Sequence, residues 1–579
     1  MQPDGSNLPA WITSNNRTPT TGPRRASRSR QDGPRRAPLC GRGGFSELAR
    51  EVSRKIGPRP RLSPILGAML PEPLIGLVLA FSFPQEGIQL ADSASYLLRI
   101  GETPIGRSVQ STYRDSSGMA FRTERSLVRM NRGGSEVQIR EEGLWIEDAS
   151  GALVSVAVTR SGLGPGDWTD RVDAIPGGLR RERTRGSATI VDTLPCEPLV
   201  GPLRQESILA GQSDRFRIRT LDPSSMAPAT FHVEILGDDT LRQERLVVAC
   251  RLYSARDSAR AAAGSAGALQ WRDREGRIWR ERDQDLDFTV ERSEIAGDVE
   301  IESDFDALAW RRIPLDGVPP RDPPCTLLLR PALSGLPAGV REGVSPVPSD
   351  SHQRVDKGPE PGSWVITTHG RATPETTERS REAWRRDPEL AAALSSDLIV
   401  DAANPLVVAF AEEALAPRRS AGGSRRGGQI GETAGSPRHD PPLSPTEEAN
   451  LLERAVHERI AVRDMGTVFA TASQTLREGR GDCTEHAVLL AACCRARGIP
   501  ARLVAGLVPM SDRMLFHLWT EVYLDEWFPL DATLGEGRAH PCAVALLRWT
   551  QMENKEDAFT LAFERIAGRY AVRIGGAAE

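Results

Sequence analysis

From about Ala91 to Glu300 apolar and polar positions partly alternate, in short runs separated by Gly, Asp, Ser or Pro. Tyr96–Ile100, Arg107–Tyr113, Ser126–Met130, Glu136–Arg140, Ala152–Thr159, Ser187–Val191, Phe216–Thr220, Thr230–Ile235 and Arg245–Tyr253 carry this pattern, which predicts strands. Arg99–Gly106 reads as a strand–turn–strand start, and Gln270–Trp279 as a hairpin turning about Asp273–Gly276. The expectation is an antiparallel meander or curved sheet of about 200 residues. Alternating Arg and Glu on its strands read as a solvated face.

Further on, the apolar spacing turns helical. Asp387–Ser395 and Pro405–Ala414 each have Asp or Asn near their start, residues that cap the first free N–H groups. Ser444-Pro445-Thr446-Glu447 opens another helix with a capping box, and Leu451, Leu452, Ala455 and Ile460 form its apolar face. An apolar run begins at Cys483 and closes at Gly498, with Arg495 and Arg497 in its last turn, which marks a helix end. Ala501–Val508, Phe516–Leu524 and Trp527–Asp531 read as strands, Glu556–Glu564 as a helix and Tyr570–Ile574 as a closing strand. Helices and strands lie in separate blocks, so the fold class is α+β.

Composition divides the chain. Residues 1–61 hold 13 Lys+Arg against 4 Asp+Glu in a Pro, Ser and Gly background, so 1–68 reads as a disordered basic leader. The apolar run Leu74–Phe83 is too short to span a bilayer and fits the core of a signal peptide over 69–90. Synthesis starting near Met69 would make the protein exported, periplasmic or extracellular; otherwise it is cytoplasmic. A β-rich module is expected over 91–333, a Pro/Gly/Ser-rich linker over 334–362 and a second domain over 363–579, with a flexible insert at 417–445. The whole chain has net charge −4, so the part beyond the basic leader is acidic and argues against a nucleic-acid partner. No stable membrane span is expected. Eight cysteines are sparse and irregular and read as buried thiols, with Cys196–Cys250 or Cys250–Cys325 open as pairs in an exported protein.

The chemistry lies between Gly479 and Thr533. A cysteine at a helix start sits at the positive end of the helix dipole, which favours thiolate at Cys483. Alternation over Phe516–Leu524 puts His517, Trp519, Glu521 and Tyr523 on one face. A two-residue turn after Leu524 would set Asp531 opposite Thr520, away from His517. A three-residue loop at Leu524–Glu526, or a bulge, sets it opposite Trp519 and diagonal to His517, about 7–8 Å away; one or the other is predicted. Cys483, His517 and Asp531 are then nucleophile, base and orienter. The Cys483 N–H is one oxyanion donor, and Gln474 is a candidate for the second. Asp482 reads as a helix cap, His486 and His457 as structural histidines, and Glu521 as a solvated or paired carboxylate. Trp519 reads equally as a wall of the substrate cleft or as core. Adjacent cysteines diverge by about 100° on a helix, so Cys483, His486, Cys493 and Cys494 do not read as zinc ligands.

The blocks Gly481-Asp-Cys-Thr-Glu-His-Ala487, Arg495-Ala-Arg-Gly-Ile-Pro-Ala-Arg502, His517-Leu-Trp-Thr-Glu-Val-Tyr523 and Trp527-Phe-Pro-Leu-Asp-Ala-Thr533 resemble the transglutaminase-like superfamily. The resemblance implies a papain-like domain after the antiparallel β-sheet module, with Cys483, His517 and Asp531 as its triad. It implies acyl transfer through a thioester to water or an amine, a peptide or protein substrate, and neither cofactor nor metal. No Trp lies shortly before Cys483 to serve as the oxyanion donor of the animal cross-linking enzymes, so the bacterial protease-like branch is the nearer comparison. A non-catalytic scaffold with a relic triad and a cross-linking acyltransferase are the alternatives.

Overall fold

The structure, a computed structural model, describes residues 88–575 apart from 294–300, 307–312, 333–344, 370–375, 417–442, 552–565 and some shorter stretches. The basic leader, most of the signal-like segment, nearly all of the insert and the Glu556–Glu564 helix lie outside the described residues.

Fourteen strands between Gln89 and Arg292 form one antiparallel sheet. Eight follow in chain order from Gln89–Ile100 to Ala188–Pro195, and six more from Phe216–Asp222 to Phe288–Arg292. The two runs join where the first strand pairs with the last, Tyr96 opposite Arg292. Helix Pro202–Gly211, which the apolar pattern did not announce, links them and anchors to the sheet through Glu147, whose carboxylate accepts from the Leu203 and Arg204 N–H groups. The observed strands are longer than the apolar alternation suggests, as in Ala120–Arg132 and Ser135–Glu147. Their polar ends continue the backbone ladder without an apolar face, which sequence period alone does not register. The solvated-face reading fails for Arg181, Arg183 and Arg185, which alternate on one strand and are buried. Arg185 donates to Asp170 at 2.8 Å, and Arg181 lies 2.9 Å from Asp192 through its Nε.

The second sheet has nine strands. Arg513–Tyr523 lies between Ala501–Met510 and Ile313–Asp316 and also pairs with Trp527–Leu530. Ile313–Asp316 and Cys325–Pro331, within the range read as the first module, pair here. So does Gln353–Lys357, from the stretch read as linker. Tyr570–Ile574 is a strand as read, set between Cys325–Pro331 and Ile313–Asp316. Helix Pro388–Ala392 is followed in the chain by Pro405–Leu415, Pro445–Arg459 and Ala472–Glu478, which pack against the apolar helix Cys483–Ala496. Their caps are Asp387, Asn404, Ser444 and Thr471, with reciprocal capping boxes at the last two.

From Leu90 onward the described chain is one compact unit, and one apolar cluster runs across both sheets. It joins Val128, Met130, Leu163 and Trp168 of the first sheet to Ile399, Phe469 and the buried helix Cys483–Ala496. The cysteine pairings considered from sequence do not form: Cys196 and Cys250 are free, and Cys325 is bonded to Cys542 across 217 residues. Strand pairing brings Cys325 to the edge occupied by Thr368, whose hydroxyl donates to Pro541 C=O at 2.6 Å. No helix among the described residues is long and apolar enough to cross a membrane.

Candidate active site

Cys483 is the first residue of its helix, after the N-cap Asp482. Asp482 Oδ1 accepts from the Thr484 N–H at 2.8 Å, and Glu485 Oε2 accepts from the Asp482 N–H at 2.9 Å. This reciprocal pair satisfies helix-end donors and fixes where the sulfur lies. The helix is tied to the sheet by Thr520, whose hydroxyl donates to Ala487 C=O at 2.8 Å.

The hairpin from Arg513–Tyr523 to Trp527–Leu530 pairs Tyr523 with Trp527 and leaves Leu524, Asp525 and Glu526 as the loop. Asp525 adopts φ +62°, the left-handed turn residue of a three-residue hairpin. This register brings Asp531 beside His517, with Nε2 and Oδ2 2.7 Å apart. The other ring nitrogen is thus left for Cys483, which hydrogen-bonds the His517 ring, and the Leu518 N–H donates to the sulfur. The Thr533 N–H donates to the second Asp531 oxygen at 3.0 Å. Behind it, the Ala532 C=O lies 2.9 Å from His457 Nδ1, and the Glu453 carboxylate accepts from the Gly537 N–H at 3.1 Å. Both come from helix Pro445–Arg459, so His457 is structural and helps hold the Asp531 turn.

Electrostatics divide the three groups. Burial opposes charge on His517, yet Asp531 and Cys483 raise it well above the ordinary histidine range. Burial also opposes charge on Asp531, but the His517 cation and hydrogen bonds from His517 and Thr533 hold it below the usual carboxylate range. Cys483 departs from the helix-dipole expectation. Burial pushes its thiol up, the adjacent Asp482 carboxylate adds to that, and the contacts with His517 and Leu518 only partly offset it. The dipole is a partial charge of about half a unit and does not outweigh desolvation together with a full carboxylate. His486 is packed, with Nδ1 2.6 Å from Asp482 C=O and its pKa lowered by burial. Among the described residues no group of three or more metal-ligating side chains forms.

The remaining candidates are distributed as follows. Gln474 is the third residue of helix Ala472–Glu478, and its Oε1 accepts from the Thr471 N–H at 2.9 Å in the capping box. Its Nε2 end lies so close to Gly186 of the first sheet that a Cβ there would collide with it. The carboxamide is thereby committed to a helix start and a sheet contact. Trp519 is buried, with its ring near-parallel to His517 at 6.3 Å between centroids. It packs on Val504 and Ala545 and also lines a pocket of about 80 Å³ with His352, Phe528, His540 and Arg548. Its indole N–H is buried and has no hydrogen-bond partner among the described residues. Core and cleft wall are therefore both parts of its environment. Glu521 is structural, paired with Arg502 at 2.7 Å and Arg548 at 3.1 Å.

Sequence reading missed Arg132. It ends strand Ala120–Arg132, is 0% exposed, and puts Nη2 3.0 Å from Asp482 Oδ2 and Nη1 3.0 Å from Met465 C=O. A signal was available: Val128, Met130 and Arg132 share one face at a period of two, so an arginine extends an apolar stripe.

Residues 437–532, which include Cys483, His517 and Asp531, match the model of the transglutaminase-like superfamily. The chain therefore carries a transglutaminase-like domain after an antiparallel sheet. No curated protein matches. Among solved structures, a β-barrel-like protein of a domain of unknown function from Brucella abortus aligns at 12% identity, over 35% of this chain and 94% of that one, with a TM-score of 0.27. A candidate cysteine protease from Cytophaga hutchinsonii aligns at 16% identity, over 44% of this chain and 82% of that one, with a TM-score of 0.24.

Proposed function

We propose that the protein is a thiol enzyme that hydrolyses peptide or protein amide bonds through a thioester on Cys483. The observation that carries this reading is the buried His517–Asp531 pair at 2.7 Å with the Cys483 sulfur hydrogen-bonded to the same ring. Cys483 sulfur attacks the amide carbon as His517 takes the thiol proton, and the Cys483 N–H, first of the helix, faces the developing oxyanion. The C–N bond breaks as His517 gives its proton to the leaving amine. Water then attacks the thioester while His517 takes its proton; the C–S bond breaks, a carboxylic acid leaves, and His517 returns that proton to the sulfur. Asp531 keeps the ring oriented and supports its charged form. The substrate backbone is placed beside the Trp519 ring, 6.3 Å from His517; the pocket on its other side is lined by none of the three reacting residues. Export agrees with the Cys325–Cys542 bond, since such bonds persist in oxidising compartments.

Water is the favoured acceptor because no Trp stands between residues 437 and 482 to act as the cross-linking enzymes' donor. The raised, buried thiol is the observation on the side of a non-catalytic scaffold. Wild type and Cys483→Ala are incubated with denatured casein, with and without dansylcadaverine, and the products are mapped by mass spectrometry. New peptide termini or deamidated glutamine with wild type alone are expected. Dansyl incorporation in their place would move the reading to cross-linking, and a folded wild type that yields neither would move it to a scaffold.

A further inference from the structure

Asp482 places a carboxylate one residue from the Cys483 sulfur, in a site with almost no solvent. The titratable and charged groups around the sulfur are Asp482, Glu485 and His486 on its own helix, His517 and Asp531 on the second sheet, Arg463 in the segment before helix Ala472–Glu478, and Arg132 from the first sheet. Glu485 is driven toward its neutral form, first by burial and then by Asp482, and His486 is pushed toward its neutral form by burial. Asp482 thus carries the negative charge that most opposes thiolate formation. The Arg132 guanidinium meets its outer oxygen at 3.0 Å while the Thr484 N–H holds the inner one at 2.8 Å. In a low-dielectric site, an unpaired carboxylate next to a thiol disfavours the thiolate strongly, and a paired one much less.

We propose that Arg132 is a positioning residue for the nucleophile: by holding and neutralising Asp482 it permits Cys483 to ionise, so that the first sheet completes the active site of the second domain. This rests on the reading of Cys483 as the nucleophile and extends it. It gives the sheet a task within the reaction, distinct from that of a separate binding module. Further contacts hold the same junction: the Phe469 N–H donates to Leu163 C=O at 2.8 Å, and Gln474 seats against Gly186.

The test is the rate of Cys483 carbamidomethylation by iodoacetamide between pH 6 and 10.5, mapped by peptide mass spectrometry on the intact chain. Arg132→Met leaves Asp482 unpaired, and the midpoint of the rate is expected to rise by about one pH unit, roughly a tenfold loss of rate on the sloping limb. Asp482→Asn keeps a helix cap, removes the carboxylate, and is expected to lower the midpoint. The double variant is expected to return close to wild type, and Arg132→Lys to sit between wild type and Arg132→Met. A merely structural Arg132 would give faster labelling at every pH as the site loosens, with the midpoint moving toward that of an ordinary thiol. That result, or a folded Arg132→Met with the wild-type profile, overturns the proposal. Should Arg132→Met not fold, Asp482→Asn decides, and an unmoved midpoint in it is equally fatal. The readout needs no substrate, so an absence of hydrolysis would leave this result standing and would count against the proposed reaction alone.

Discussion

His517 and Asp531 each keep a charge that burial alone would remove, and each does so through the other. The depressed Asp531 contributes stability that is present above its unfolded value of about 3.9 and lost as pH falls through its lower folded value. The raised His517 contributes stability that is complete below its unfolded value of about 6.5 and lost as pH rises through its higher folded value. The pair therefore stabilises the fold most between about pH 4 and 6.5. In denaturant titrations, Asp531→Asn should cost most in that window and progressively less toward pH 9; a cost independent of pH would show that the pair is not ionised. The same variant leaves the ring without its orienting acceptor, and turnover should fall by on the order of 10²–10⁴-fold. At this scale Cys483, His517 and Asp531 were legible because three residue types recur in order at workable spacings. The raised thiol was not legible, because the burial that raises it comes from packing among parts of the chain far apart in sequence.

Among elements, the turn of the hairpin that carries His517 and Asp531 was readable, while its first strand runs Arg513–Tyr523 where Phe516–Leu524 was expected. An odd loop or a bulge puts both side chains within reach, and the three-residue loop Leu524–Glu526 is the one that forms. Less readable was Gly506, which pairs with His517 across the strands and lies under the Trp519 ring. A Cβ there would meet the Val544 carbonyl oxygen and the far edge of that ring. The glycine permits Ala501–Met510 to hold Val544–Trp549 on one side while the far edge of the indole comes against it, where the register to that strand shifts. Gly506→Ala should therefore destabilise by about 1–3 kcal/mol and displace Trp519, seen as a changed tryptophan emission together with weaker substrate turnover. Unaltered emission and stability would mean that the strands yield without moving the ring. The capped helix starts were visible in sequence, since a cap is a local device. Helix Pro202–Gly211 was not, because few of its residues are buried and its anchor, Glu147, comes from another strand.

At the level of the whole molecule, the order of sheet and thiol domain was visible in composition and period. Their boundary was not, because Ile313–Asp316 and Cys325–Pro331 look like the preceding strands yet pair with the second sheet. Strand partners far apart in the chain leave no local mark. The Cys325–Cys542 bond is of the same kind, closing a span of 217 residues. Loop-closure entropy gives such a link on the order of 4–5 kcal/mol. Cys542→Ser should lower the melting temperature well below wild type, and a strong reductant should lower wild type to a similar value without further effect on the variant. Equal melting temperatures for all samples would mean that the link adds nothing to a sheet already held by its neighbours.

The strand Tyr570–Ile574 lies inside the second sheet, between partners made some 250 residues earlier in synthesis. A ribosome building this chain has long since released Cys483 and His517 when that strand emerges. Until then the sheet has a gap between Cys325–Pro331 and Ile313–Asp316, one strand away from Arg513–Tyr523. The sheet that carries His517 is thus closed only once Tyr570–Ile574 has been made.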